Sequence, residues 1–178
     1  MALVQLVLGR RGYWVAEKLG RFGEGTRHAL VAFQKYSALP RTGKLDFWTR
    51  IALSGPVERV SPLRPGTGHR IDVDLARQVM VIATDDTVDG VFDISSGKRS
   101  TPTPKGAFRL EREIRGRRVA ELGVLISPKY FKGGYAIHGS PSVPSHAASH
   151  GCVRVTNQTI AYLWESGLIP LGTPITIY

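Results

Sequence analysis

Between Ser61 and Gly68 the chain reads Ser-Pro-Leu-Arg-Pro-Gly-Thr-Gly, and its hydrophobic period differs on the two sides of that stretch. Proline and glycine at this density interrupt regular structure, so residues 57–69 read as a linker between two units. Upstream, apolar residues recur at helical spacing; downstream, they alternate with polar ones. A chain whose period changes in this way is neither all-helical nor all-β. It predicts an α+β protein: a small three-helix unit over residues 1–56, then a mainly β unit, a sandwich or partial barrel, over residues 70–178.

In the first unit Leu3, Leu6 and Val7 fall at i, i+3 and i+4, one face of a helix. Thr26 is the expected N-cap of a second helix that carries Ala29, Leu30 and Phe33. Asp46 is placed to cap a third, with Phe47, Trp48, Ile51 and Ala52, which Gly55-Pro56 stops. In the second unit Ile71, Val73 and Leu75 alternate with Asp72, Asp74 and Ala76, predicting a half-buried strand, a turn over 76–78 and a second strand over 79–83. Further strands are expected over 88–94, 106–113, 119–126, 135–138 and 174–178. One helix interrupts them: Asn157 is its expected cap, Ile160, Leu163 and Trp164 share a face, and Gly167 ends it.

At 178 residues with 42% hydrophobic and 21% charged side chains, the chain can bury a core without disulfide staples, which excludes the disordered and collagen-like classes. No apolar run approaches the ~20 residues of a membrane span. Ala2–Leu8 is apolar but lacks a basic leader and a small-residue cleavage site, so it reads as a helix and any export signal is expected to lie outside this sequence. The net charge of +10 points to a polyanionic partner, nucleic acid or an acidic envelope polymer. It is concentrated in residues 1–56, with nine Lys and Arg against three Asp and Glu. No arginine-rich arm, zinc-finger spacing or aromatic RNA-binding signature accompanies it, so nucleic acid is not the expected partner.

The single cysteine, Cys152, cannot staple its own chain and is either a buried hydrophobe or a nucleophile. Its neighbourhood bears on the choice: His138-Gly139-Ser140-Pro141 upstream, then Ser149-His150-Gly151-Cys152-Val153-Arg154-Val155-Thr156-Asn157. Adjacent imidazole or cationic groups favour the reactive thiolate. Gly151 admits close approach to the backbone, and turned N–H groups there suit an oxyanion. His146 and His150 are four apart, as in a helical metal pair with Cys152 as third ligand. Gly151, Pro141 and Pro144 argue against such a helix, so no metal is expected. The residues define a candidate Cys–His acyl-transfer site. Cys152 and His138 are its expected catalytic pair.

The pattern resembles that of the L,D-transpeptidase (YkuD-type) family, whose hallmark is an upstream His-Gly followed by Ser-His-Gly-Cys-hydrophobic-Arg. Ile71-Asp72-Val73-Asp74 with Gln78-Val79 resembles the family's first hairpin, and Thr101-Pro102-Thr103-Pro104-Lys105-Gly106-Ala107-Phe108 its Thr-Pro-x-Gly-x-Phe segment. Leu8-Gly9, Gly12-Tyr13-Trp14, Gly20-Arg21-Phe22-Gly23, Thr26, Ala29-Leu30 and Phe33-Gln34 resemble a helical peptidoglycan-binding domain. The resemblance implies an extracytoplasmic enzyme of the cell envelope acting on peptidoglycan stem peptides and glycan. It would form cross-links between third residues through a Cys152 thioester, with loss of terminal D-alanine. It further implies no cofactor, and carbapenem-type β-lactams as covalent inhibitors.

Under the same resemblance His138 is the proton acceptor, and Ser149, His150 and Gly151 shape the loop and oxyanion site, with the His150 ring packed or bonded beneath the loop. Arg154, Tyr135 and Ser140 bind substrate or buttress the site, Arg154 more as a buttress. The interval from His138 to Ser149 is short for the family, implying a trimmed covering loop. A sortase would need a Thr-Leu-x-Thr-Cys segment that is absent, and a papain-like peptidase the order Cys before His. A wall-binding protein with a dead catalytic domain is disfavoured by the intact Cys152 and His138.

Overall fold

The computed structural model describes residues 1–178. In chain order the elements are α1 (Ala2–Arg10), α2 (Glu24–Tyr36), α3 (Phe47–Ser54), β1 (His69–Asp74), β2 (Val79–Thr84), β3 (Thr87–Asp93), β4 (Gly106–Arg109), β5 (Arg112–Glu113), β6 (Arg117–Ala120), β7 (Gly123–Lys132), β8 (Tyr135–Ser140), β9 (Val153–Thr156), α4 (Asn157–Glu165) and β10 (Pro174–Ile177). The α+β class holds. No helix is long and apolar enough to cross a membrane.

The strands form two five-stranded sheets. The first runs β3-β2-β1-β10-β4; the second runs β5-β7-β8-β9, with β6 also paired to β7. Ile71, Val73, Met80, Ile82 and Phe92 from the first sheet meet Ile137, Val153 and Val155 from the second, and Ile160 and Leu163 of α4 close this core. The other face of the first sheet is also covered. Val81, Val88 and Val91 pack under Leu8, Tyr13, Leu30, Phe33 and Leu53 of the helical unit. Coverage on both faces explains why β2 is a continuous apolar run rather than an alternating one.

The helical unit therefore docks on the sheet through apolar side chains, and a cluster of charged groups at the junction is paired. The Lys35 ammonium, fully buried, is ion-paired with Asp93 and donates to the carbonyls of Gln78 (3.1 Å) and Ile94 (2.7 Å). His28 Nδ1 lies 2.6 Å from the other Asp93 oxygen. Burial pushes the Lys35 amine below its ordinary range, while Asp93 acts against that shift. Trp14 stacks on Tyr162 of α4 with ring centroids 4.8 Å apart, whereas Tyr13 turns into the helical core. The segment 57–69 is no free tether. Val60 N–H donates to the Arg11 carbonyl, Arg59 Nε to that of Val88, and Tyr36 Oη to that of Ser61.

Several local expectations are corrected. α1 forms, but Leu3 is 72% and Leu6 42% exposed while Gln5 and Leu8 are buried. Gln5 turns the helix inward because its amide donates to the Arg21 carbonyl and the Thr26 hydroxyl. Thr26 does not cap α2: Gly23 is the N-cap, and the Glu17 carboxylate accepts the N–H groups of Gly25 and Thr26. α3 starts at Asp46 as expected, with Thr49 N–H donating to its carboxylate at 2.9 Å, but Phe47, Trp48 and Ile51 face solvent. Asp72 and Asp74 of β1 are buried, not solvated. Asp72 lies 3.4 Å from Arg70, and Asp74 takes the N–H groups of Ala76 and Arg77. The expected strand at 106–113 is two short strands in different sheets, and that at 119–126 is a hairpin of β6 and β7.

The Asp46 cap gives a measurable consequence. Asp46→Ala removes the N-cap of α3 and is expected to lower Tm by a few degrees. Thermal unfolding checks it; an unchanged Tm would mean that α3 does not depend on its cap.

Candidate active site

β8 and β9 are parallel neighbours, with Ile137 opposite Val153 and His138 opposite Arg154. Side chains alternate across a strand. Ile137, Val153 and Val155 enter the core between the sheets, so His138, Ser140, Cys152 and Arg154 take the opposite face. That face is the floor of a cavity of about 640 Å³. Gly139 lets α4 lie close behind it: a Cβ there would come within 2.5 Å of the Ile160 side chain.

His138 is 5% exposed and its Nδ1 lies 2.9 Å from the Gly139 carbonyl oxygen. A carbonyl only accepts, so Nδ1 carries the proton of the neutral ring and Nε2 keeps its lone pair. Burial lowers the His138 pKa below its usual range, the Gly139 bond opposes that, and the Arg154 charge adds to the lowering. The Cys152 thiol is half-buried beside Leu125, Tyr130 and Ala136. Burial raises its pKa, against the lowering effects of the Ala136 backbone and of Arg154. Both shifts favour the uncharged forms. In direction, they favour thiol and neutral imidazole over thiolate and imidazolium.

The turn before Cys152 is fastened from a distant segment. Thr101 Oγ1 and Lys98 N–H donate to the Ser149 carbonyl, each at 3.0 Å, and the Ser96 carbonyl accepts from Ala148 and Ser149 N–H at 2.9 Å. Thr103 Oγ1, almost fully buried, donates to the Gly151 carbonyl (2.8 Å) and accepts from Gly97 N–H (2.9 Å). Ser149 closes the turn itself: its hydroxyl donates to the Cys152 carbonyl (2.6 Å) and accepts from Gly151 N–H (3.0 Å). Gly151 has φ +116°, and a Cβ on it would strike the Tyr135 ring at 2.5 Å. Glycine is required there both by conformation and by space.

The structure thus brings together every expected site residue but alters some roles. The Gly151 N–H is taken by Ser149, so it is not an oxyanion donor; the Cys152 N–H makes no bond within the protein. His150 is exposed and lines the cavity instead of packing beneath the loop, because the Gly151 turn swings the preceding residue outward. Ser140 is a turn residue, donating to the Ser142 carbonyl and accepting from Ser142 N–H. Arg154 is not a buttress: its guanidinium makes no hydrogen bond and faces the cavity beside His138. The cover over the site is the β6–β7 hairpin, from which Arg118, Leu122 and Val124 line the cavity.

Thr103, Thr101 and Ser96 are the residues that motif reading missed as working parts. The Thr-Pro-Thr-Pro run was visible, but its partners lie about fifty residues away, where no local spacing points. Thr103→Val leaves two buried backbone groups unpaired, at about 1–3 kcal/mol each. A lower Tm together with slower labelling of Cys152 by a thiol reagent is expected. Unchanged labelling would show that the turn holds without Thr103.

Cys152 and His138 are thus presented from adjacent parallel strands into one cavity on a two-sheet scaffold. Residues 68–177 match the model of the YkuD L,D-transpeptidase catalytic domain, and residues 1–53 match one described as "Putative peptidoglycan binding domain". The chain belongs to the YkuD L,D-transpeptidase family. It is similar to an L,D-transpeptidase from Xylanimonas cellulosilytica, 35% identical with a TM-score of 0.90, over 99% of this chain and 92% of that one. An Enterococcus faecium L,D-transpeptidase, crystallised as a cysteine-to-serine mutant, is 26% identical with a TM-score of 0.54, over 62% of this chain and 50% of that one. A Bacillus licheniformis protein described as "Putative L,D-transpeptidase YkuD" is 28% identical over 113 residues, 61% of this chain and 65% of the relative.

Proposed function

We propose that the protein is an extracytoplasmic peptidoglycan L,D-transpeptidase that joins third residues of neighbouring stem peptides through a Cys152 thioester. The observation that carries this reading is the placing of Cys152 and His138 on the floor of one cavity, with His138 Nδ1 bonded to Gly139 and Nε2 unprotonated. The donor is a tetrapeptide stem. Cys152 Sγ attacks the carbonyl of its third residue as the thiol proton passes to His138 Nε2. The oxyanion forms at the free Cys152 N–H, where a preorganised donor acts most strongly. Collapse breaks the peptide bond, and D-alanine leaves with the proton from His138. The side-chain amine of a third residue on another stem then attacks the thioester, gives its proton to His138 and displaces the thiolate, which regains a proton.

Arg154, uncompensated and facing the cavity, is suited to a stem carboxylate. The other expected residues serve geometry: Ser149, Gly151 and Tyr135 hold the turn, and His150 stands at the cavity wall. The role needs no cofactor. The positive charge of the chain suits an acidic wall. Because the helical unit is docked rather than tethered, wall binding by that unit holds the catalytic cavity in a fixed orientation to the glycan.

Intact-protein mass spectrometry tests the reading. With a tetrapeptide stem, an adduct on Cys152 lighter than the added substrate by D-alanine is expected, and a second stem should resolve it to a cross-linked dimer. A carbapenem should add to the same residue. A protein that never acylates overturns the proposal; an adduct resolved only by water would make it a carboxypeptidase.

A further inference from the structure

Between α2 and the segment after β8 lies a second cavity, about 440 Å³ in volume. Arg27, Arg41 and Thr42 line it from the helical unit, and Pro141, Ser142 and Ser145 from the catalytic unit. Pro141 and Ser142 also line the catalytic cavity, so the two share a rim. A strand lying over the 141–142 turn would enter both.

The charges of this second cavity pair off unequally. Arg27 is neutralised by Glu24 at 2.9 Å. Asp93, which also lines it, is held by Lys35 and His28. Arg41 has no carboxylate partner. Its guanidinium donates to the carbonyls of Ser145 (3.1 Å) and Ala76 (3.0 Å). Those neutral acceptors fix the plane of the group, use only part of its five N–H donors and leave its charge uncompensated. A planar cation held in this way is the donor set that a carboxylate takes in bidentate fashion. Pro144 beside it offers apolar surface to the carbon skeleton that bears the carboxylate, with Val31 and Val143 buried behind the wall.

We propose that this inter-domain cavity is a subsite for a stem-peptide carboxylate, anchored by Arg41, on a strand whose reacting end lies in the catalytic cavity. The inference deepens the transpeptidase reading and rests on it. The helical unit then forms one wall of the substrate site, which gives a reason for its buried, ion-paired docking on the sheet. A carboxylate there belongs to either the donor or the acceptor strand, and the two are separable by chemistry.

The test uses the full chain and disaccharide-tetrapeptides whose non-terminal stem carboxylates are free or amidated, varied on the donor alone or on the acceptor alone. The wild-type protein is expected to prefer the free form on one arm by about tenfold in kcat/KM, the scale of one charge-assisted hydrogen bond, with the change in KM. Arg41→Gln should bring that ratio close to one, and Arg41→Lys, which keeps the charge but loses the planar fork, should lower it. No preference on either arm, or a preference that survives Arg41→Gln, overturns the subsite. Should Arg41→Gln fail to fold, the wild-type ratio and Arg41→Lys decide: no wild-type preference, or one left unchanged in Arg41→Lys, overturns it. Failure of the transpeptidase reading looks different, since no stem or carbapenem would then acylate Cys152 in the wild-type protein.

Discussion

Cys152→Ala is expected to form no acyl-enzyme with a tetrapeptide stem or a carbapenem, and to lose cross-linking by a factor on the order of 10⁴–10⁶, the scale on which nucleophiles of covalent enzymes act. It is the only thiol in the chain, and no other nucleophile stands beside His138 on the cavity floor: Ser140 and Ser149 spend their hydroxyls on backbone groups. The fold should survive. The Cys152 side chain is half-buried and packs on a small cluster of Leu125, Tyr130 and Ala136, apart from both main cores. Removing its sulfur at the edge of an open cavity costs at most on the order of 1 kcal/mol. Thermal unfolding and acylation are measured on the same preparation. Loss of activity with a normal Tm supports the nucleophile; a collapsed protein would make Cys152 a packing residue, and retained transfer would remove the thioester.

Much of the fold was legible because the two units use different periods. Ile71 and Val73 mark β1 by alternation, and Asp46 with Gly55-Pro56 bounds α3. What escaped reading has a common cause: long-range partners. Nothing local to Thr26 reveals that Glu17 will take its N–H, and nothing near Leu3 reveals that Gln5 is drawn inward by the Arg21 carbonyl. The β6–β7 turn carries neither proline nor Asn-Gly, so residues 119–126 looked like one strand. The candidate pair Cys152 and His138 was legible because its residues fall in two short motifs. The fastening of their turn by Thr101 and Thr103 was not, since it joins two loops far apart in the chain. The docking of the helical unit on the first sheet was equally hidden, although the unbroken apolar run of β2 is its trace in the sequence.

The two histidines beside Cys152 should respond differently to removal. His138 is held on β8 with its Nδ1 proton fixed on the Gly139 carbonyl, which leaves the Nε2 lone pair free for the proposed role of base. A general base contributes about 10²–10⁴-fold to rate, and His138→Ala is expected to slow carbapenem acylation by about that factor at neutral pH. The pKa directions set the pH dependence. Burial lowers His138, so the wild-type rate should fall only as pH drops below the ordinary histidine value of 6.5, where the ring becomes protonated. Burial raises the Cys152 thiol, so in His138→Ala, where hydroxide alone makes thiolate, the rate should climb with pH into the region above 9.0. The wild type should be nearly flat between those limits. His150 is exposed, and His150→Ala should change stability by no more than about 0.5 kcal/mol. It should keep the wild-type acid limb and show no alkaline rescue. Acylation rate against pH for the three proteins measures all of this. An alkaline rescue confined to His150→Ala, with a flat profile for His138→Ala, would transfer the base to His150, and the fixed tautomer of His138 would then serve the shape of the site alone.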